Sequence, residues 1–355
     1  MKKQILIIVL FVMATFVGVS KSYGQAVAGL APRPLTLDVS NPLRPIAGKP
    51  YTYSAVVSPV AGQAYWYATK ATTFITVGAR VAGIEIAAGI TTISATTNYM
   101  TLAAASTSPT STSVTWATDV LSGVTSAAPL FMVVEYNGPV CTTSNNIKVM
   151  KLIPQNAFTI DITNMAHGAT PTPLAYGTTE SQCYAGVLSS LYDISTSKMI
   201  NNYGVQDLYF ELVAANFTGS YKPTFKLSGL QSTQTANIDW GTSIGTYGTS
   251  AAVGITAAAT PYTTVKQSVT TNVTNTTGGV AIYIRVRITN NGYEGLTSDG
   301  ITLAVDATDN AAIPNPDVNP AGTVKGAFTE LAMQTVNARP AITISGTMTL
   351  EPQNP

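Results

Sequence analysis

Charge is what this sequence has least of. Lys, Arg, Asp and Glu make up 10% of its 355 residues, against roughly 25% in an average soluble domain. The formal net charge is +1, so there is no electrostatic case for a nucleic-acid partner, whose phosphates demand clustered Lys and Arg. Weak net repulsion also leaves self-association unopposed. Histidine occurs once, as His167. That excludes multi-histidine metal sites and leaves a single base for any Ser/His/Asp arrangement. It sits in Met165-Ala166-His167-Gly168-Ala169, a turn-like stretch, and reads as a surface-loop residue. The two cysteines, Cys141 and Cys183, form no CxxC pair and have no flanking base, which argues against redox catalysis.

Long hydrophobic runs are missing after the first twenty residues. Within them, Lys2 and Lys3 precede an apolar run over 5–19, and Ser22 and Gly24 follow. This is the pattern of a signal peptide, residues 1–24, cleaved before Gln25. The alternative is a membrane anchor, but the run is shorter than the roughly 20 residues a span needs. No cysteine follows it to carry a lipid. The expected protein is secreted, extracellular or at the cell surface, with no transmembrane segment after cleavage.

Thr, Ser, Ala, Gly and Asn fill the space left by charge, as in extracellular β-rich structural and adhesive proteins. Residues 25–49 form a proline-rich extended arm, with Pro32, Pro34, Pro42 and Pro45 forbidding a helix. In it Leu35, Leu37 and Val39 alternate with Thr36, Asp38 and Ser40, which suits one edge strand. Such a strand is a candidate assembly element that pairs with the open edge of another subunit. The alternative is that it folds back as the first strand of its own domain.

From residue 50 onward short β-branched and aromatic runs recur between Gly, Pro, Ser and Asn. The stretches 51–57, 63–69, 113–117, 131–136 and 147–152 read as strands, the last two as a hairpin through Asn137-Gly138. After Pro154-Gln155-Asn156, a hinge, new strands begin at 157–163, 184–193 and 208–214. The clearest lies at 280–288, where Val280, Ile282, Ile284, Val286 and Ile288 share one face and Tyr283, Arg285 and Arg287 the other. Residues 327–337 and 341–350 read as a final hairpin around Arg339-Pro340. The expected fold is all-β: two tandem immunoglobulin-like β-sandwich domains, 50–153 and a larger 154–355.

Two cysteines in an oxidising compartment favour a bridge between Cys141 and Cys183, worth about 4 kcal/mol in the chain-entropy model. The alternative is two separate buried thiols. Oxygen ligands gather at Asp306, Asp309 and Asp317, a candidate calcium site, although EF-hand spacing is absent and such Asx-rich turns are commonly only turns. No other cofactor is expected. Tyr65 and Tyr67 flank Trp66 on a strand, so the tyrosines share one face. They are candidate glycan contacts, with Trp66 as a core residue. The acids Asp161, Asp193, Glu211, Asp239 and Glu294 show no spacing that points to glycoside hydrolysis.

Tyr51-Thr52-Tyr53, then Gly62-Gln63-Ala64-Tyr65-Trp66-Tyr67, then Val140-Cys141-Thr142 resemble the PKD-like and immunoglobulin-like modules of bacterial surface proteins. The run Ala214-Ala215-Asn216-Phe217-Thr218-Gly219-Ser220-Tyr221-Lys222-Pro223 is similar to a segment of uncharacterised secreted proteins of gliding, type IX-secreting bacteria. Pro314-Asn315-Pro316 resembles the start of a type IX sorting domain, but too little sequence of that kind follows to assign one. The resemblance implies a non-enzymatic extracellular role and supplies no catalytic residue. The expected function is a structural subunit of a filament, sheath or surface layer, partnered by copies of itself or by other cell-surface proteins. The alternative is a monomeric adhesin or carbohydrate-binding module.

Overall fold

A computed structural model describes residues 37–58, 62–86, 90–92, 99–101, 110–138, 145–257, 262–263, 269–270 and 279–342. Almost all regular structure in them is β. Residues 1–24, expected to be a signal peptide, Leu35, Cys141 and the tail from residue 343 lie outside the described residues.

The first half contributes β1 (Pro50–Ala55), β2 (Gln63–Thr69), β3 (Ile75–Thr76), β4 (Ala79–Arg80) and β5 (Ile90–Thr92). It continues with β6 (Tyr99–Thr101), β7 (Thr110–Trp116), a single helical turn α1 (Thr118–Leu121), β8 (Leu130–Asn137) and β9 (Asn145–Leu152). One sheet runs β1-β7-β5 and the other β6-β2-β8-β9. Strand alternation sends Tyr51, Tyr53, Trp66, Val114, Trp116, Leu130, Met132 and Val134 into a shared core. Tyr53 and Trp116 meet edge to face, and the Trp116 indole N–H donates to the Tyr53 hydroxyl at 3.2 Å. That contact satisfies a polar group that burial would otherwise leave unpaired.

The second half contributes β10 (Thr159–Ala166), β11 (Thr172–Pro173), β12 (Glu180–Cys183), β13 (Ser189–Asp193), β14 (Lys198–Asn202), β15 (Val205–Ala215) and β16 (Ser220–Ser228). Next come β17 (Thr235–Gly241), β18 (Thr249–Thr256), β19 (Tyr262–Thr263) and β20 (Val269–Thr270). The last are β21 (Val280–Thr289), β22 (Asp299–Asp309) and β23 (Glu330–Asn337). One six-stranded sheet runs β11-β10-β15-β21-β17-β18, the other β12-β23-β22-β16-β19, with β20 also on β16. Leu208, Phe210, Leu212, Ile282, Ile284, Val286, Phe225, Leu303 and Val305 pack between them. In β21 the alternation is as expected on the core side. On the other side Arg285 and Arg287 do not simply face water: they pair with Asp239 and Asp207, each at 2.8 Å.

Of the predicted final hairpin, the second arm from residue 343 lies outside the described residues; its first arm, β23, pairs with antiparallel β22 and, over 334–337, with parallel β12. The Pro154 stretch, expected to be a hinge, is held from both sides. Gln155 donates its backbone N–H to Pro45 and its side-chain amide to the carbonyls of Asp38 and Arg44. Asn156 donates to the carbonyl of Pro316 at 2.7 Å. The two cores are further tied by Thr118 and Thr218, and by Asp119 accepting from the Ala312 N–H.

Candidate interaction surface

A fold built almost wholly of strands offers two kinds of surface: strand edges and whatever projects from them. Among the described residues two two-stranded sheets pair with no other strand, the short β3–β4 and the longer β13–β14. The turn of the longer one is set by Asp193, whose carboxylate accepts from the Ser195 N–H, the Ser195 hydroxyl and the Thr196 hydroxyl at 2.6–2.9 Å. Those bonds hold the Asp193 carboxyl below its ordinary value, and Ser197 completes the reversal with φ of 53°.

Cross-strand pairs put Leu191 with Ile200 on one face and Tyr192 with Met199 on the other. All four are more than half exposed, and Ile194 at the tip is 85% exposed. Each face of the hairpin therefore presents an exposed apolar pair. A lone two-stranded sheet is marginal in water, so its base must be held from outside. Arg339 does this. Its guanidinium donates to the carbonyls of Ala185 (2.7 and 2.9 Å), Tyr203 (2.7 Å) and Glu294. It also lies over the rings of Tyr184 and Tyr203, at 5.2 and 4.9 Å from their centroids. Gly204, at φ of 76°, lets the chain turn from β14 into β15 against Ala185 and Gly186.

Strand edges differ in their protection. β9 carries Lys148 and Lys151, the usual guard against edge pairing. β18 ends its sheet among the described residues and reads Thr-Ser-Ala-Ala-Val-Gly-Ile-Thr, without charge or proline. Its Val253 is 71% exposed.

The candidates named from sequence fare unevenly. Leu37 and Val39 pack partly buried against the first core instead of standing out as a strand, and residues 37–49 form no strand. Tyr67 is buried and donates to the Glu135 carboxylate at 3.0 Å, so its ring is not open to a sugar. Tyr65 is half-buried against it and donates to Glu85. Cys183 is an exposed free thiol at the end of β12, while Cys141 lies outside the described residues. His167 is exposed and stacks on Tyr209, which in turn meets Tyr247. Trp66 is a core residue, as expected.

Asp306, Asp309 and Asp317 do not form a ligand shell. Asp309 turns inward to the backbone and side-chain N–H groups of Asn315. Asp317 meets the Lys325 ammonium at 3.4 Å, and Glu330 holds the same ammonium at 2.8 Å. Lys325 also donates to the Ile160 carbonyl. Burial pushes the Asp317 carboxyl up to about 6; Lys325 opposes that rise and Asp306 adds to it. Asp317 and Glu330 are thus engaged by one lysine cation, and among the described residues no group of three or more His, Cys, Asp or Glu is placed to hold a metal ion. Sequence reading missed this ion cluster, whose members come from separate loops and strands.

A cleft of about 130 Å³ lies between the cores, lined in part by Thr118, Asn156, Asn216, Asp309 and Asn315. Of these, Asn156 donates to the Pro316 carbonyl and Asn315 to the Asp309 carboxylate. No described helix is long and apolar enough to cross a membrane.

No family model matches the chain. No curated protein matches it either. Among solved structures, the chain is similar to "Structure of the N-terminal domain of PorA", at 9% identity and a TM-score of 0.24, covering 50% of this chain and 96% of that one. It is also similar to "BspA_C_mut", at 8% identity and a TM-score of 0.23, covering 64% of this chain and 58% of that one.

Proposed function

We propose that the chain is a non-enzymatic extracellular structural protein whose two sandwiches, meeting at residue 154, associate with further copies through strand edges. The observation that carries this reading is β18: among the described residues a six-stranded sheet ends on this strand, which has no charge and exposes Val253. Natural sheets guard edges with Lys, Pro or a covering segment, and a strand with neither charge nor proline lacks the first two of these guards against strand addition. The scarcity of charge along the chain supports the same reading, since like-charge repulsion does not oppose close packing of copies. The pattern of residues 1–24 supports export. Because Leu37 and Val39 lie on their own core, any strand donated from the arm begins ahead of residue 37.

Sedimentation velocity across a wide protein concentration range tests the reading. Wild type is expected to shift to larger species as concentration rises, and Val253→Lys, which places a charge on this strand, is expected to suppress the shift. Equal behaviour of the two proteins would remove β18 from the interface.

A further inference from the structure

The ion cluster at Lys325 holds an amine and a carboxyl group together away from water. The side chains of Lys325, Asp317 and Glu330 are each 5% exposed or less, while the Arg285–Asp239 and Arg287–Asp207 pairs stay partly open. A chain with few charges thus sets three of them where desolvation is most costly, and a buried ion pair is weak evidence for stability in itself. The backbone fixes the amine against the acid. Lys325 donates its N–H to the Asp317 carbonyl at 3.1 Å, beside the antiparallel bridge of Val318 and Val324. Asp317 and Lys325 therefore face each other across a short ladder with their side chains on one side, and Nζ lies 3.4 Å from Asp317 Oδ2. Glu330, the first residue of β23, is paired with Val305 of β22. Its Oε1 accepts from Nζ at 2.8 Å, and its Oε2 accepts from the Tyr176 hydroxyl at 3.2 Å. Nζ also donates to the Ile160 carbonyl at 2.8 Å.

We propose that Lys325 and Asp317 condense to an intramolecular isopeptide bond, with Glu330 as the proton carrier. Glu330 Oε1 takes one ammonium proton, and the freed Nζ lone pair attacks Asp317 Cγ. One carboxyl C–O bond then breaks. The departing oxygen leaves as water, with a second Nζ proton and the proton returned by Glu330, and the nitrogen keeps the third. Ammonium and carboxylate are converted to a secondary amide and one water, with no oxidant, reductant or cofactor. Proximity supplies the drive, since well-oriented intramolecular partners reach effective molarities on the order of 10⁵–10⁸ M. Burial adds to it by favouring the uncharged amine and acid that react, in the same sense as the rise at Asp317. Molecules that have not reacted keep the ionic cluster and its titration. The bond is independent of the β18 edge and of whether copies associate.

Intact-mass measurement of the denatured full chain after prolonged storage at neutral pH tests it. Wild type is expected to contain a species lighter by one water. Trypsin cuts only after a free lysine, so in that species the fragment that begins at Ile288 runs on past Lys325 and is one water short. Lys325→Arg keeps the charge but cannot form the bond, and is expected wholly at full mass. Glu330→Gln keeps both joined groups but removes the proton acceptor, and is expected to lower the lighter fraction at least ten-fold. Wild type wholly at full mass overturns the proposal, as does a water loss that persists in Lys325→Arg or maps outside 317–325. A lighter fraction unchanged in Glu330→Gln overturns the role given to Glu330. Should either variant fail to fold, the wild-type mass and its tryptic fragment decide whether the bond exists.

Discussion

Thr118 and Thr218, one hundred residues apart, each donate a backbone N–H to the other's hydroxyl, at 2.9 and 2.8 Å. The exchange joins the turn after β7 to the loop before β16, and so couples the two cores. A backbone donor that loses such a partner on a buried surface is left with its desolvation cost. Thr118→Val and Thr218→Val are each expected to destabilise the protein by about 1–2 kcal/mol. In a double-mutant cycle by urea denaturation the pair should couple by about 1 kcal/mol. Additive effects would show that the reciprocal bond does not hold the joint.

The Lys325 cluster makes stability depend on pH in a defined sense. The Asp317 carboxyl is raised from its ordinary 3.8 to about 6 by burial, so the folded state binds its proton more tightly than the unfolded chain does. That contribution is fully present below about pH 3.8 and is lost as pH rises through about 6. Asp317→Asn abolishes the titration and leaves Lys325 paired with Glu330. The stability difference between wild type and Asp317→Asn, followed by denaturant midpoint, is expected to move against wild type between pH 4 and 6. A flat or opposite difference contradicts the assignment.

Arg339 carries the base of the hairpin through a planar fork and two aromatic faces, which a lysine cannot reproduce. Arg339→Ala and Arg339→Lys are both expected to destabilise the protein by about 1–2 kcal/mol, since part-buried carbonyls lose charged donors. Limited proteolysis should cut first within 184–205. Resistance of the lysine variant equal to wild type would reduce the clamp to a point charge.

Much of the fold is legible because its strands are buried on one face. The alternation at 280–288 and 208–214 names the core side chains of β21 and β15 directly. The joint and the surface are less legible. The stretch 184–193 reads as one strand, but β12 ends at Cys183 and β13 begins at Ser189. The break follows from Arg339, more than a hundred residues later, holding the Ala185 carbonyl. The parallel pairing of β12 with β23 was likewise hidden, because no local pattern announces a distant parallel partner. Tyr67 looked exposed by strand parity, yet Glu135 on the neighbouring β8 covers it. The acids at 306, 309 and 317 suggested calcium because the sequence does not show that Lys325 folds back between two of the buried carboxylates.

Association of copies through strand edges is most directly tested by negative-stain microscopy of the purified mature protein at high concentration, with and without calcium. The account predicts ordered multi-subunit assemblies in wild type, indifferent to calcium, that are lost in Val253→Lys. Only monodisperse single particles under every condition would contradict it.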